Sequence, residues 1–403
     1  MQRNASSPKP CDPATSGSVD LAEHDLAGQT LVFLVSEDWY FCSHRLPVAR
    51  AARDAGARVV VATRLADDRE RILAEGFEPF HIPFDRSGLN PMRDLATLRA
   101  IIACYRRFQP DLVHHVAAKP VLLGQIAAWL CRVPVVVNAM AGMGFLYITQ
   151  SWKAIFLRWI FEAVTRVGMR RRGSALIVQN EDDAALFVAG GVAQDKITLI
   201  PGSGVDAAHF APTPEPEGVP VAVCVSRMLR DKGIVELVEA ARMLHEQGVA
   251  IRVRLVGGTD ANPASIPPDL LAAWKHEGIV DVAGASRDIA GEYARAHIAV
   301  LPSYREGLPK SLLEAAACAR PVVTTDVPGC RFVCRDGENG LLVPPRNSLA
   351  LAEVLAHLAC EPEMRRRMGA TGRRRVEAEF AEPIIAEQTL ALYRRLLSVR
   401  RRG

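Results

Sequence analysis

The chain carries two successive series of short apolar runs, and this pattern constrains the fold more than any other feature. In the first series, LVFLVS (31–36), RVVVAT (58–63), DLVHHV (111–116), VPVVVNAM (133–140) and SALIVQN (174–180) are separated mostly by segments of helical character. Continuous apolar runs, rather than alternating ones, describe strands covered on both faces. Helices between them make neighbouring strands parallel. A Pro- and Gly-dense stretch at 202–220 has the composition of an interdomain linker. The series then restarts with VAVCVS (221–226), IRVRLVGG (251–258), IVDVAG (279–284), IAVLPS (298–303), PVVTTD (321–326) and GLLVPP (340–345). A length of 403 residues agrees, since single cores stop growing at roughly 250–300 residues. The expectation is an α/β protein with two Rossmann-like parallel-sheet domains facing a central cleft. The first would span 28–205 and the second 206–375, after a flexible tail at 1–27. A C-terminal helix within 376–403 would cross back to the first domain.

Several function classes are set aside by composition. Hydrophobic residues at 49% and charged residues at 23% describe a globular chain rather than a disordered one. A net charge of +4, not gathered into one basic stripe, gives no footprint for nucleic acid. The nine cysteines are scattered, odd in number and without C-x-x-C pairs, which suits a reducing, cytosolic compartment. Cys330 and Cys334 have no second ligand pair nearby, so no metal site is expected. The first residues have no apolar stretch of signal-peptide length, and no run reaches the roughly 18 apolar residues of a membrane span.

In open parallel sheets, ligands bind beyond the carboxyl ends of the strands. The most informative such place is SYREGLPKSLLEAAACARPVVTTDVPG, from Ser303 to Gly329. A strand ends at Pro302, a loop carries Glu306 and Gly307, and Pro309 is placed to begin a helix containing Glu314. The unpaired N–H groups of such a helix start, beside a glycine that permits close approach, suit a diphosphate. Glu314 can accept from a ribose diol and Glu306 from sugar hydroxyls; equally, the two can be surface glutamates beside a turn. SRMLRDKG (226–233) places Arg227 and Lys232 just past the first strand of the second series. There a guanidinium and an ammonium can neutralise a diphosphate, or simply start an exposed helix.

Together these residues resemble a family. Glu306 and Glu314 have seven residues between them and E-G-L-P follows the strand, as in the retaining glycosyltransferases of family 4, which have the GT-B fold. SRMLRDKG looks like that family's donor-phosphate motif, and GVDAAHF (204–210) like its interdomain motif. The resemblance implies that Arg227 and Lys232 bind the donor diphosphate, Glu314 the ribose and Glu306 the donor sugar. Gly307, Leu308 and Ser311 would share the donor site. It implies a nucleotide-sugar donor with UDP as the nucleotide, no metal requirement, and retention of anomeric configuration with the leaving diphosphate assisting the acceptor. The catalytic set is then Glu306, Arg227 and Lys232.

The first half departs from the family pattern. His44 aligns with the family's histidine at the start of the first helix, but the preceding Gly-Gly loop is replaced within SEDWYFCS. DWYFCSHRLPVAR and NAMAGMGF (138–145) resemble a subgroup acting on undecaprenyl-diphosphate-linked sugars in bacterial polysaccharide assembly. This implies a lipid-linked sugar or glycan acceptor, with a hexose or N-acetylhexosamine transferred. His44, His115, Lys119, Gly142 and Gly144 are the acceptor-side or cleft candidates. His114 and His115 are adjacent on a strand, so at most one can face the cleft.

The segment 147–172, YITQSWKAIFLRWIFEAVTRVGMRRR, reads either as a core helix with a solvated basic end or as a basic amphipathic helix for an anionic membrane surface. The second alternative puts the protein peripherally on the inner face of a bacterial plasma membrane. An oxidoreductase is excluded because no G-x-G-x-x-G follows LVFLVS or VAVCVS. A nucleotide-sugar epimerase on the same fold and a noncatalytic GT-B subunit are the remaining rivals. The latter predicts erosion of the donor site, whereas both glutamates and both cations are present.

Overall fold

A computed structural model describes residues 26–85, 91–140, 152–260, 262 and 264–401. The first series of apolar runs forms a seven-stranded sheet: β1 (Thr30–Glu37), β2 (Arg58–Arg64), β3 (Glu78–His81), β4 (Leu112–Val116), β5 (Val135–Ala139), β6 (Ser174–Val178) and β7 (Ile197–Leu199), in the order β3-β2-β1-β4-β5-β6-β7. The second forms a six-stranded sheet: β8 (Val221–Val225), β9 (Arg252–Val256), β10 (Val280–Gly284), β11 (Ile298–Leu301), β12 (Val322–Thr325) and β13 (Gly340–Val343), in the order β10-β9-β8-β11-β12-β13. Every strand pairing within the two sheets is parallel. Each sheet is covered on both faces, so strands such as β4, β5, β6, β11 and β12 are buried throughout.

Strand order reverses between β1 and β4 in one sheet and between β8 and β11 in the other. At such a switch point the following helices leave to opposite faces, opening a crevice beyond the carboxyl ends. The segments that follow β1, β8 and β11 carry Trp39 to Arg45, Arg227 to Lys232, and Glu306 to Ser311. The topology thus selects the strand ends whose side chains meet in the cleft.

Two connections join the halves, and they run side by side. Val205 and Ala381 form a parallel bridge, with Val205 N–H donating to Phe380 O at 2.9 Å and Glu382 N–H to Val205 O at 3.1 Å. Only glycine fits at 204, where φ is +76° and a Cβ would stand 2.7 Å from the Glu382 Cα. Beyond this crossing, the helix Glu382–Arg401 returns to the first sheet and buries Ile385, Leu390, Tyr393 and Leu396 against Leu46, Val48 and Ala49. Each such side chain contributes about 1.5–3 kcal/mol of burial. The Tyr393 hydroxyl is hydrogen-bonded to Nδ1 of His114 on β4, which fixes the helix to the strand.

Candidate functional site

The second-half side of the cleft is built from the turn after β8 and the loop after β11. The chain leaves β8 at Val225, passes Arg227, and makes a short 3-10 turn at Arg230–Lys232 before the helix Ile234–Glu246. Gly233 between turn and helix has φ +71°, and a Cβ there would lie 2.0 Å from the Pro302 carbonyl oxygen. The absence of a side chain lets the β8 turn press directly on the β11 loop. Lys232 is thereby delivered to Glu306, with Nζ 2.5 Å from Oε1. The Ser303 hydroxyl donates to the same Oε1 at 2.6 Å. Arg227 points into the same cleft but is paired with Asp260 at 2.8 Å and is half-exposed.

The loop 302–309 ends in the helix Lys310–Ala317, one turn into which stands Glu314. Burial raises the Glu314 carboxyl to about 7; the Lys310 ammonium opposes the rise and Glu382 adds to it. Leu308, Ser311 and Glu314 line the cleft. Ser311 is fixed through its carbonyl, which accepts from the buried Tyr293 hydroxyl at 2.6 Å. Gly307 lies behind the lining: its carbonyl accepts from Asn180 at 2.8 Å, and it packs on Gly329.

On the first-half side, the strand β1 runs straight into the helix Asp38–His44 in place of a glycine loop. Buried Asp38 holds the connection, its Oδ1 accepting from Trp39 N–H at 2.8 Å and its Oδ2 from Ala66 N–H at 2.5 Å. Tyr40 stacks on His44 at 4.2 Å between ring centroids, and Ser43 Oγ lies 2.7 Å from His44 Nδ1. Burial, then Lys310, then Arg45 lower His44 to about 3, so its imidazole is neutral near pH 7. Trp39, Tyr40, Ser43, His44 and Arg45 all line the cleft.

The cleft has a volume of about 1050 Å³ and draws its walls from both halves. Lys310 spans it, donating from Nζ to the Ser43 carbonyl at 2.7 Å. Arg45, Arg227, Lys232 and Lys310 all line this cleft, a set of cations that suits a multiply charged anion, and Glu306 and Glu314 can offer acceptors to neutral hydroxyls. Among the described residues, no group of three or more His, Cys, Asp or Glu is arranged to hold a metal ion.

The first-half candidates separate. Lys119 lines the cleft, held by Asp94 at 2.6 Å and the Asp85 carbonyl at 3.0 Å. His115 does not: it is fully buried, with Nε2 2.8 Å from the Tyr105 hydroxyl and Nδ1 2.8 Å from Asn138 Oδ1. It lies within β4 rather than past its end, so its side chain enters the helix layer; His114 enters the opposite layer, toward Tyr393. Gly142 and Gly144 lie outside the described residues. Lys310, Arg45 and Asn180 were not identified from sequence. Asn180 ends the run SALIVQN, so the carboxyl-end rule would have found it; Lys310 required knowing which loops face each other.

Residues 30–180 match the family described as "Glycosyl transferase 4-like", and residues 219–361 match "Glycosyl transferases group 1". The chain is 27% identical over 366 residues to N,N'-diacetylbacillosaminyl-diphospho-undecaprenol alpha-1,3-N-acetylgalactosaminyltransferase of Campylobacter jejuni, covering 88% of this chain and 95% of that protein. It is also 27% identical to the putative glycosyltransferase EpsD of Bacillus subtilis, covering 90% of this chain and 96% of that one. Among solved structures, a glycosyltransferase from Rickettsia africae superposes with TM-score 0.74 at 19% identity, covering 92% of this chain and 98% of that chain. Anabaena HepE, solved in complex with UDP, gives TM-score 0.73 at 17% identity, covering 90% and 98%. With the two sheets, their facing switch points and a family match to each half, the chain belongs to the family 4 glycosyltransferases of the GT-B fold.

Proposed function

We propose that this chain is a retaining transferase that moves a hexose or N-acetylhexosamine from a UDP-sugar to a lipid-linked or glycan acceptor in surface polysaccharide assembly. The observation that carries this reading is the convergence of Lys232, Glu306 and Glu314 on one cleft between the halves. Arg227 and Lys232 neutralise the donor diphosphate, Glu314 accepts from the ribose diol, and Glu306, Leu308 and Ser311 receive the sugar. Glu306 is already bound by Lys232 and Ser303, an arrangement that suits orienting sugar hydroxyls rather than attacking the anomeric carbon. The acceptor then approaches from the side of His44, Trp39 and Lys119, on the face from which the diphosphate leaves. The neutral His44 serves there as a hydrogen-bonding group rather than as a charge.

In this division of labour, residues 28–205 choose the acceptor, 206–375 hold the donor, and 376–403 tie the second half back to the first. The Campylobacter relative, whose name specifies an undecaprenol-linked diphosphate acceptor and an alpha linkage, supports a lipid-linked acceptor and retention. The Anabaena neighbour solved with UDP supports the nucleotide. A peripheral place on the inner face of the plasma membrane is the proposed location, supported by the exposed Trp159 on the basic helix Trp152–Met169; no helix among the described residues is long and apolar enough to cross a membrane.

The test has two stages. A thermal-shift screen across nucleotide sugars should single out UDP-sugars, since a ligand at 100 times its dissociation constant stabilises the fold by about 2.7 kcal/mol. Transfer is then followed onto an undecaprenyl-diphosphate-linked sugar, with the anomeric configuration of the product read by NMR. No stabilisation by any nucleotide sugar would overturn the donor reading. A product of inverted configuration would overturn retention, and a donor altered equally with and without acceptor would favour an epimerase.

A further inference from the structure

The loop that carries Glu306 is held in place by the opposite half of the molecule. Just past the end of β6, Asn180 caps the helix Glu181–Ala189, its Oδ1 accepting from the Asp183 N–H at 2.8 Å. The other end of the same amide crosses to the second half, where Nδ2 donates to the Gly307 carbonyl at 2.8 Å. Nδ2 also lies 3.1 Å from Asp183 Oδ2, and Asp183 Oδ1 accepts from Arg305 at 3.1 Å. Asn180 and Asp183 are each 1% exposed, so these bonds form with little competition from water. Glu306 is thus bracketed: the first half holds the residues on either side of it, and the second half holds its carboxylate.

The bracket has a directional consequence. The described residues contain no cis peptide bond, and in a trans peptide the C=O and N–H point opposite ways. With the Gly307 carbonyl aimed at Asn180, the Leu308 N–H points away from that residue. Leu308 lines the cleft, and its N–H donates to no other backbone group among the described residues. The loop cannot retreat, because Gly329 backs it so closely that a Cβ there would stand 2.4 Å from the Gly307 oxygen.

We propose that Asn180 and Asp183 are positioning residues for the sugar of the donor: they fix backbone 305–308 so that Glu306 and the Leu308 N–H meet the hexose. The nucleotide and diphosphate are held chiefly by the β8 turn and Glu314, which form no hydrogen bond with Asn180 or Asp183 among the described residues. Because the bracket joins the two halves, the sugar subsite is complete only when the halves are together. A cleft that opens keeps its grip on the nucleotide and releases the sugar. This inference rests on the reading of the cleft as a nucleotide-sugar site.

The test separates the two. Asn180→Asp keeps the shape and the helix cap but loses the donor to Gly307; Asn180→Ser keeps only the cap and serves if a carboxylate beside Asp183 prevents folding. UDP and the UDP-sugar that best stabilises the wild type are titrated by calorimetry, and kcat and KM are measured for transfer. Both variants are expected to bind UDP within about twofold of wild type, and to lose about tenfold in UDP-sugar affinity or in kcat. Unchanged UDP-sugar binding and turnover would overturn the inference, as would an equal loss of UDP and UDP-sugar affinity, which marks a merely structural role. Failure of the wild type itself to bind UDP would overturn the reading of the cleft, and the inference with it.

Discussion

The Lys232 ammonium lies 2.5 Å from the Glu306 carboxylate, although the two residues are 74 positions apart and come from loops after different strands. Their side chains are 19% and 12% exposed. On the proposed reading of the cleft, Lys232→Ala removes a charge-assisted contact to the donor diphosphate, and it leaves Glu306 with the Ser303 hydroxyl. A fall of about 100-fold or more in kcat/KM is expected, equivalent to about 2.7 kcal/mol of transition-state stabilisation. Steady-state kinetics checks it, and turnover near wild type would remove Lys232 from the machinery.

Glu314 gives a pH dependence with a defined sign. Its carboxyl is raised by burial from 4.5 to about 7, so between these values the folded protein binds a proton that the unfolded chain releases. Its contribution to stability is fully present below pH 4.5 and lost as pH rises through about 7. Relative to Glu314→Gln, the wild type should therefore lose stability across this window, as denaturant unfolding at several pH values can measure. Parallel curves for the two proteins would show that the carboxyl titrates normally. The same variant should bind UDP about 10- to 100-fold more weakly above pH 7, through the lost carboxylate acceptor.

Gly233→Ala tests the close approach that joins the β8 turn to the β11 loop. A Cβ there meets the Pro302 oxygen at 2.0 Å, and the positive φ is itself unfavourable for alanine. Expected outcomes are destabilisation of at least about 1–3 kcal/mol and a loss of donor affinity comparable to that of Lys232→Ala. Denaturant titration and calorimetry read the two effects separately. Full donor affinity would show that the turn can shift without moving Lys232.

Arg320 is a structural contrast. It is 2% exposed and donates to the carbonyls of Tyr293, Thr213, Pro214 and Ala294 and to the Thr213 hydroxyl. It therefore pins the linker to the helix layer of the second half without reaching the cleft. Arg320→Met strips the partners of those carbonyls and should cost about 3–5 kcal/mol. Donor affinity of the folded fraction should be unchanged, and selective loss of donor binding without loss of stability would contradict this role.

The helices Ala118–Leu130 and Trp152–Met169 pack against each other on the first half. They expose Trp129, Leu130, Ile155 and Trp159 at 69%, 49%, 50% and 65%. Arg132 and Arg170 stand near their ends. Exposed Trp side chains with Arg residues nearby suit the headgroup region of an anionic membrane, where each nearby cation contributes about 1 kcal/mol. The pair Trp129→Ala and Trp159→Ala should abolish sedimentation with anionic liposomes at low salt while leaving UDP binding intact. Equal recovery of the wild type with neutral and anionic vesicles would refute the docking.

Most of the layered architecture was legible in the chain because buried parallel strands must be apolar throughout, and such runs as LVFLVS and PVVTTD announce themselves. The two edge strands of the first sheet were not among them: β3 is EPFH and β7 is ITL, short and only partly buried, so no uniform apolar run marks them. The 147–172 segment was half legible: a helix spans Trp152–Met169, and Trp159 is exposed as a surface helix requires. His115 misled, because a histidine near a strand end reads as a cleft residue until its Tyr105 and Asn138 partners are seen.

By itself, the sequence determined the period of the elements, the point at which the second sheet begins, and the chemistry gathered within single loops. Glu306 and Glu314 are tied by local spacing along one loop and one helix, and local spacing is visible in a string of residues. Only the tertiary structure decided what meets across distance: Lys232 with Glu306, Lys310 with Ser43, and Asn180 with Gly307. Those partners depend on strand order and on the packing of one half against the other. Strand order is set by how whole faces bury together, a property of the summed surfaces that no single motif carries.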